Sequence, residues 1–169
     1  MKIIVNDANI LIDLVELKIL PGFFQLEYDF HTTEMILDEL LSEQKEELQT
    51  YIDTGRLVVD ALSEDDFTEI FNIRSTKTSL SEQDCSAFYQ ALKKNAALIT
   101  SDNTLRKFAK ANNIEVHGHF WVFDNLVDYG FLSAQSAIDK LNELCTLVNP
   151  KLGLPANECQ KRIKIWSNP

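Results

Sequence analysis

The stretch IIVND, residues 3–7, decides the fold class of this chain. Three β-branched residues followed by Asn6 and Asp7 are typical of a short buried strand that ends at a polar edge. The run AALITSD, residues 96–102, repeats this arrangement and ends at Asp102. Helical segments lie between the two runs, and parallel strands need crossovers of that length. The pattern therefore predicts an α/β protein.

Other strand and helix signals extend the alternation along the chain. Further strands are predicted at 27–31, 57–59 and 114–116. Helices are predicted at 9–18, as two helices within 33–54, from 63, from 81 to about 94, at 104–112 and at 134–147. Pro21-Gly22 is expected to break the first helix, because proline interrupts helix interiors. Such alternation implies right-handed crossovers, so we predict a three-layer α/β/α fold with a central, mostly parallel sheet of about five strands.

The composition is that of one globular domain of ordinary size. The chain has 169 residues, of which 45% are apolar and 25% charged, with only five Gly and four Pro. These values exclude disordered and collagen-like chains. No stretch supplies the roughly 18 to 20 apolar residues of a membrane span, and the N-terminus lacks a signal-peptide layout. Three cysteines without a C-x-x-C pair argue against a disulfide framework or a zinc site, so we expect a cytoplasmic protein with no membrane partner.

The net charge of −10 argues, at face value, against a nucleic-acid partner. Phosphate binding depends mainly on Lys and Arg, which neutralise the nucleic-acid backbone. The charge is unevenly spread, however, because residues 27–69 hold fourteen acids and two bases. That segment carries −12, which leaves +2 on the rest of the chain. The distribution of charge therefore keeps a phosphate-bearing substrate open.

Acidic residues at the ends of predicted strands are the candidates for a functional site. In open parallel sheets, ligands bind beyond the carboxyl ends of the strands, and both Asp7 and Asp102 lie there. Each of these residues is also a good helix N-cap. Asp84 completes a capping box with Ser81, yet it also lies near the middle of the apolar stripe of its helix. A carboxylate on that stripe needs a partner, so we expect Asp84 to point into a site.

A fourth acidic position is ambiguous from periodicity alone. Asp38 and Glu39 lie at opposite margins of the apolar face formed by Ile36, Leu37 and Leu40. An exposed salt bridge is the usual role of an acid at either margin. The helical pattern does not choose between the two residues.

Four short motifs, taken in this order, resemble those of the PIN domain of metal-dependent nucleases. They are DANILI at 7–12, ILDEL at 36–40, LSEQD at 80–84 and LITSDNTL at 98–105. The segment NIEVHG, residues 113–118, followed by an apolar helix and GFL at 130–132, is similar to the end of that domain. The resemblance covers about residues 1–145, so we expect a PIN-like nuclease domain there and, at 146–169, a C-terminal extension or tail of the same domain.

The resemblance implies a site built from Asp7, Glu39, Asp84 and Asp102, and it thereby favours Glu39 over Asp38. Asn9 matches a polar position of the first motif. Ala8 departs from that motif, since many members carry Ser or Thr there, and this puts a hydroxyl contact at that point in doubt.

Carboxylates that converge without His or Cys suit a hard cation, so the resemblance implies Mg²⁺ or Mn²⁺, as one ion or two. Paired ions clamp the attacking and leaving oxygens of a phosphoryl displacement. We therefore expect a metal-dependent endoribonuclease that hydrolyses phosphodiester bonds of RNA. The toxin branch of the family further implies a type II toxin-antitoxin pair, with an antitoxin protein as partner. Asn9 and the basic residues Arg106, Lys107 and Lys110 are candidates for substrate binding, although a solvated helix face is an equally common use of such basic residues.

Two alternatives belong to other functional classes. One is a non-catalytic PIN-like binding module, which usually lacks some of the acids. The other is a phosphatase of the haloacid dehalogenase type with Asp7 as nucleophile, although that chemistry needs a second Asp where this chain has Asn9.

His117 and His119 are expected to flank a turn rather than bind metal. The apolar segment 120–131 is compatible with a homodimer interface or with a core helix.

Overall fold

The computed structural model describes residues 1–168 and contains, within them, one sheet of five parallel strands. The strands, in chain order, are β1 (Ile3–Asn6), β2 (Asp29–Thr33), β3 (Leu57–Asp60), β4 (Ala97–Ile99) and β5 (Val116–His117). They lie side by side in the order β3-β2-β1-β4-β5. This architecture confirms the predicted α/β fold with a central parallel sheet of about five strands.

Helices connect the strands and cover the sheet. They are α1 (Ala8–Glu16), α2 (Leu20–Phe23), α3 (Glu34–Leu37), α4 (Ser42–Asp53), α5 (Glu64–Thr76), α6 (Glu82–Lys94), α7 (Asn103–Ala111), α8 (His119–Asp128), α9 (Ala134–Glu143) and α10 (Ala156–Ser167). A π-helical turn, Leu144–Val148, continues α9. The long helix α6 packs on β1, β2 and β4, whereas α8 packs on β5 and α2. Right-handed crossovers place the helices before and after β3 on opposite faces, which gives three layers.

Serine N-caps start α5 and α6 where the sequence predicts. The Ser63 backbone N–H donates to Asp66 Oδ2 at 2.9 Å, and the Asp66 N–H donates back to Ser63 Oγ at 3.2 Å. Ser81 and Asp84 form the same reciprocal pair. Each box satisfies backbone donors that the first helical turn leaves unpaired.

One local expectation is wrong. Pro21-Gly22 does not itself break the first helix, because α1 ends earlier, at Glu16, and the pair lies inside the short helix α2. Proline is tolerated there because the first turn of a helix needs no N–H from it.

The C-terminal segment contains a helix, α10, that is not among the predicted helices. It packs on α9, and Trp166 is buried against Phe123 at a ring-centroid distance of 5.9 Å.

The apolar segment 120–131 forms most of α8, and its inner face belongs to the core. Val122, Phe123 and Leu126 are buried, whereas Tyr129 and Phe131 are exposed. The core explains the apolar character of this segment, and a homodimer contact stays a prediction. Among residues 1–168, no helix combines the length and apolarity that crossing a bilayer requires.

The sheet brings the ends of β1 and β4 together at its centre. The backbone N–H of Asp7 donates to the carbonyl of Ile99 at 3.0 Å, directly beyond the two strands. The chain runs from β1 toward β3 on one side and from β4 toward β5 on the other, so this is the point where the strand order reverses. Such a switch point is where open α/β sheets bind ligands.

Candidate functional site

Asp7 occupies the switch point and is almost completely buried, with 1% of its surface exposed. It caps α1: its Oδ1 accepts the Ala8 backbone N–H at 2.8 Å. Its Oδ2 accepts the hydroxyl of Thr100 at 2.7 Å. Burial, and after it the nearby charges of Asp84 and Glu39, raise the pKa of Asp7 to about 7, against the opposing effect of the two hydrogen bonds. Ionisation of the Asp7 carboxyl group near neutral pH therefore costs free energy in the folded protein.

Glu39 interacts with Asp7 and Asp84 through its charge, whereas Asp38 is exposed. Burial and the charge of Asp84 raise the pKa of Glu39, and Glu39 in turn acts on Asp7. The Asp38 side chain is 78% exposed and lies 3.5 Å from Lys45 Nζ. The charge of Asp84 thus acts on both Asp7 and Glu39, whereas Asp38 makes the exposed salt bridge that is usual for such a position.

A pair of buried hydroxyls joins the start of α3, the helix before Glu39, to α6, the helix that carries Asp84. Thr33, the last residue of β2, caps α3 by accepting the Ile36 backbone N–H at 3.2 Å. The same Thr33 hydroxyl lies 3.0 Å from Ser86 Oγ, in the first turns of α6. This contact joins the end of β2 to the helix that carries Asp84.

Asp84 serves its own helix and faces the other acids at the same time. Its Oδ2 accepts the Ser81 backbone N–H at 2.8 Å, which completes the capping box. Its charge acts on both Asp7 and Glu39. Oδ2 makes the capping bond, and Oδ1 makes no hydrogen bond within residues 1–168. The capping and site interpretations of Asp84 are therefore compatible.

Asp102 joins the site through Thr100 and not by direct contact with the other acids. Its Oδ1 caps α7 by accepting the Leu105 backbone N–H at 2.7 Å. Its own backbone N–H donates to Thr100 Oγ1 at 3.0 Å, while the Thr100 hydroxyl donates to Asp7. Thr100 therefore bridges Asp7 and Asp102, a role that sequence patterns do not indicate.

The acids do not form a ready-made metal cage. Within residues 1–168, no three His, Cys, Asp or Glu side chains converge closely enough to hold an ion. Asp7, Asp84 and Asp102 each use one carboxylate oxygen to accept a backbone N–H at the start of a helix. The donor set nevertheless suits Mg²⁺ or Mn²⁺, because it consists of carboxylate oxygens and places a buried acid beside two like charges that a cation would offset.

The predicted substrate-binding residues have different environments. Arg106 is half-buried, and its Nη1 donates to the carbonyls of Thr100 at 2.9 Å and His117 at 2.8 Å. Its pKa is lowered by burial. Lys107 and Lys110 on α7 are exposed, as is Asn9 on α1. Only Arg106 is thus fixed at the carboxyl edge of the sheet.

A buried network behind the site is absent from the sequence predictions. His119 Nε2 lies 2.8 Å from Asp13 Oδ2, with side chains only 2% and 5% exposed. Asn149 Nδ2 donates to the same Asp13 oxygen at 3.1 Å. These contacts join α1, the start of α8 and the end of the π-helical turn. The signal was available, because Asp13 lies three positions after Ile10, on the buried face of α1.

A comparison with protein families finds a match over most of the chain. Residues 3–153 match the model of a family described as a PIN domain. The matched region contains all four candidate acids and both strands that meet at the switch point. It also extends past residue 145 and includes the π-helical turn and Asn149. A comparison with curated proteins finds no match.

Proposed function

Since the chain belongs to the PIN-domain family, we propose that it is a Mg²⁺- or Mn²⁺-dependent endoribonuclease that hydrolyses phosphodiester bonds of RNA. The observation that carries this proposal is the buried Asp7 at the switch point, which lies within the electrostatic reach of Glu39 and Asp84. A buried acid beside two further acids is costly for folding alone. Such perturbed groups concentrate at functional sites.

We assign metal binding to Asp7, Glu39, Asp84 and Asp102, with Asp7 and Asp102 as the principal ligands. Asp84 and Asp102 each use a single carboxylate oxygen for helix capping, so the other oxygen of each remains for a ligand. When bound, one or two divalent ions supply positive charge at the reacting phosphate and activate water.

The protein groups have distinct tasks in this mechanism. Thr100 holds Asp7 and the backbone of Asp102 in a fixed relation. Glu39 would orient the attacking water and accept its proton, a role that a carboxylate within hydrogen-bond reach of that water can fill. Asp84 would complete the ligand set with the carboxylate oxygen that does not cap its helix.

The toxin role and the antitoxin partner are finer parts of the proposal. They rest on the resemblance to the toxin branch of the family and would place a short antitoxin over the acidic cleft. A second candidate function is a non-catalytic binding module. The observation that favours it is that the acids of residues 1–168 do not converge on one point. Family membership leaves no ground for the dehalogenase-type phosphatase.

Incubation with single-stranded RNA tests the nuclease proposal. We expect cleavage that requires Mg²⁺ or Mn²⁺ and stops when EDTA is added, because the acids need the cation to bring a phosphate among them. Products are resolved on denaturing gels over a panel of RNAs of varied sequence. Failure to cleave any RNA of the panel, with protein shown to be folded, would transfer support to the binding-module alternative.

Glu39→Gln and Asp38→Asn form a matched pair that tests the assignment of the fourth acid. Glu39→Gln should lower kcat at least about 100-fold, the scale of lost acid-base or water-orienting catalysis. Asp38→Asn should leave kcat within about twofold, since it removes only an exposed salt bridge. The reverse order of the two effects would show that Asp38, and not Glu39, belongs to the site.

A further inference from the structure

A cleft of about 470 Å³ opens at the carboxyl ends of β4 and β5. It is lined by Thr100, Ser101 and Asn103, the residues on either side of Asp102. The start of α8 and residues of the segment from 152 to 162 also line it. The volume lies in the range of sites that bind small ligands. The cleft is thus a ligand-sized space that continues the proposed catalytic edge.

Two arginines line this cleft. Arg106 belongs to α7 and Arg162 to α10. Arg162 pairs with two acids, Glu158 at 2.6 Å and Asp124 at 3.2 Å, whereas Arg106 has no acidic partner within residues 1–168. Arg106 is therefore the cation of this cleft that remains for an anionic strand next to the proposed metal site.

Arg106 is pre-organised to bind an anion. Two backbone carbonyls hold its Nη1, whereas its Nε and Nη2 make no hydrogen bond within residues 1–168. Gly118 makes room for this arrangement, since a Cβ atom there would lie 2.9 Å from Arg106 Nη1. A guanidinium held at one nitrogen still presents the remaining edge of its planar fork, which matches the geometry of a phosphate.

Planar side chains also line the cleft. The Arg162 guanidinium lies over the Phe120 ring at 4.4 Å from its centroid. Trp121 stacks on His117 with centroids 4.6 Å apart. Unpaired bases of single-stranded RNA stack on aromatic rings and on guanidinium planes. A phosphate and a base thus each find a partner within one cleft.

We propose that this cleft is a subsite for one nucleotide of single-stranded RNA, adjacent to the scissile phosphodiester. Arg106 binds the phosphate of that nucleotide, and the stacked pair of Arg162 and Phe120 receives its base. The inference rests on the proposed ribonuclease function. Glu158 and Arg162 lie beyond residue 153, where the family match ends.

Binding without cleavage separates this inference from the nuclease proposal. The probe is a fluorescein-labelled single-stranded RNA of mixed sequence, titrated by anisotropy in EDTA. We expect Arg106→Gln and Arg162→Met each to weaken binding roughly 10-fold, the scale of one lost stacking or phosphate contact. For Arg106→Gln, the slope of log affinity against log salt should also fall by about 0.7.

Two further variants supply controls. Arg56→Gln removes an exposed arginine that lies outside the cleft and should change affinity less than about twofold. Glu158→Gln removes one of the two acids that pair with Arg162 and should strengthen binding a few-fold. Melting temperatures establish that each variant is folded, and Arg162→Met carries the test if Arg106→Gln is not.

Cleavage kinetics complete the test. With Mg²⁺ present, Arg162→Met should raise KM about 10-fold and leave kcat within about threefold, because it touches the neighbouring nucleotide and not the reacting phosphate. Equal losses for Arg56→Gln, Arg106→Gln and Arg162→Met would overturn the subsite, as would unchanged binding in both Arg106→Gln and Arg162→Met. Wild-type protein that cleaves RNA while those variants bind normally would retain the nuclease function and refute the subsite.

Discussion

Asp7→Asn is expected to abolish RNA cleavage, with a loss of at least about 1,000-fold, and to stabilise the metal-free protein at pH 8. Loss of a charged group that acts directly at a reacting centre has effects on this scale. Asparagine has nearly the same shape and keeps one acceptor oxygen, which can accept either the Ala8 N–H or the Thr100 hydroxyl, so the fold should survive. The exposed Asp128→Asn is the matched control and should change neither property appreciably.

The stability effect follows from the direction of the pKa change. The pKa of Asp7 rises from 3.8 in the unfolded chain to about 7 in the folded protein. Between these two pH values the folded state keeps a proton that the unfolded chain has released. The resulting contribution of Asp7 to the free energy of unfolding is fully present below about pH 4 and is lost as pH rises through 7. Between pH 5 and pH 8 the wild-type free energy of unfolding should fall by roughly 2 to 3 kcal/mol relative to Asp7→Asn.

Urea unfolding in EDTA at the two pH values measures this difference, and groups common to both proteins largely cancel in the comparison. Added Mn²⁺ should then raise the melting temperature of wild type at pH 8 and do much less for Asp7→Asn, because the cation offsets the charge that burial disfavours. Equal metal-induced shifts in the two proteins would contradict the assignment of Asp7 as a ligand.

His119→Ala is expected to lower the free energy of unfolding by about 3 to 5 kcal/mol. The variant leaves the nearly buried Asp13 carboxylate with Asn149 as its remaining hydrogen-bond partner. Removal of one partner of a buried pair is costly because the other charge stays buried and uncompensated. Chemical denaturation at pH 7 measures the loss, and Asp128→Ala, which removes an exposed acid from α8, should stay within about 0.5 kcal/mol of wild type.

A double-mutant cycle with Asp13→Asn identifies the source of this effect. If the two groups act as a pair, the double variant should lose clearly less than the sum of the single losses. Additive losses, or a loss below about 1 kcal/mol for His119→Ala, would mean that the contact contributes packing and not a buried polar interaction.

Much of the fold follows from local signals. The β-branched run of β1 and the apolar run of β4 predict buried strands, because a short apolar segment with a polar end has few other stable uses. Ser63 and Ser81 predict helix starts since the capping box is formed by residues three positions apart. The helix α10 was missed because its apolar residues are interspersed with charges and gain their partners, such as Phe123, only in the folded chain.

The candidate site was predictable in part. Asp7 and Asp102 follow strands whose carboxyl ends must share one edge of a parallel sheet, so their proximity is implied by the fold class. Glu39 was distinguished from Asp38 by family resemblance alone, because the two flank the same apolar stripe. Thr100 gives no sequence signal, since a hydroxyl becomes a bridge only when two chain segments supply its partners.

The sequence by itself determined the order and type of the elements, the helix caps and the acids available at the strand ends, because all of these depend on residues close together in the chain. The tertiary structure alone decided which acids affect one another through their charges, which basic side chain is held at the sheet edge and which polar groups are buried together. Those properties depend on distance through space and on exclusion of water, and both arise only when β1, β4 and the surrounding helices pack.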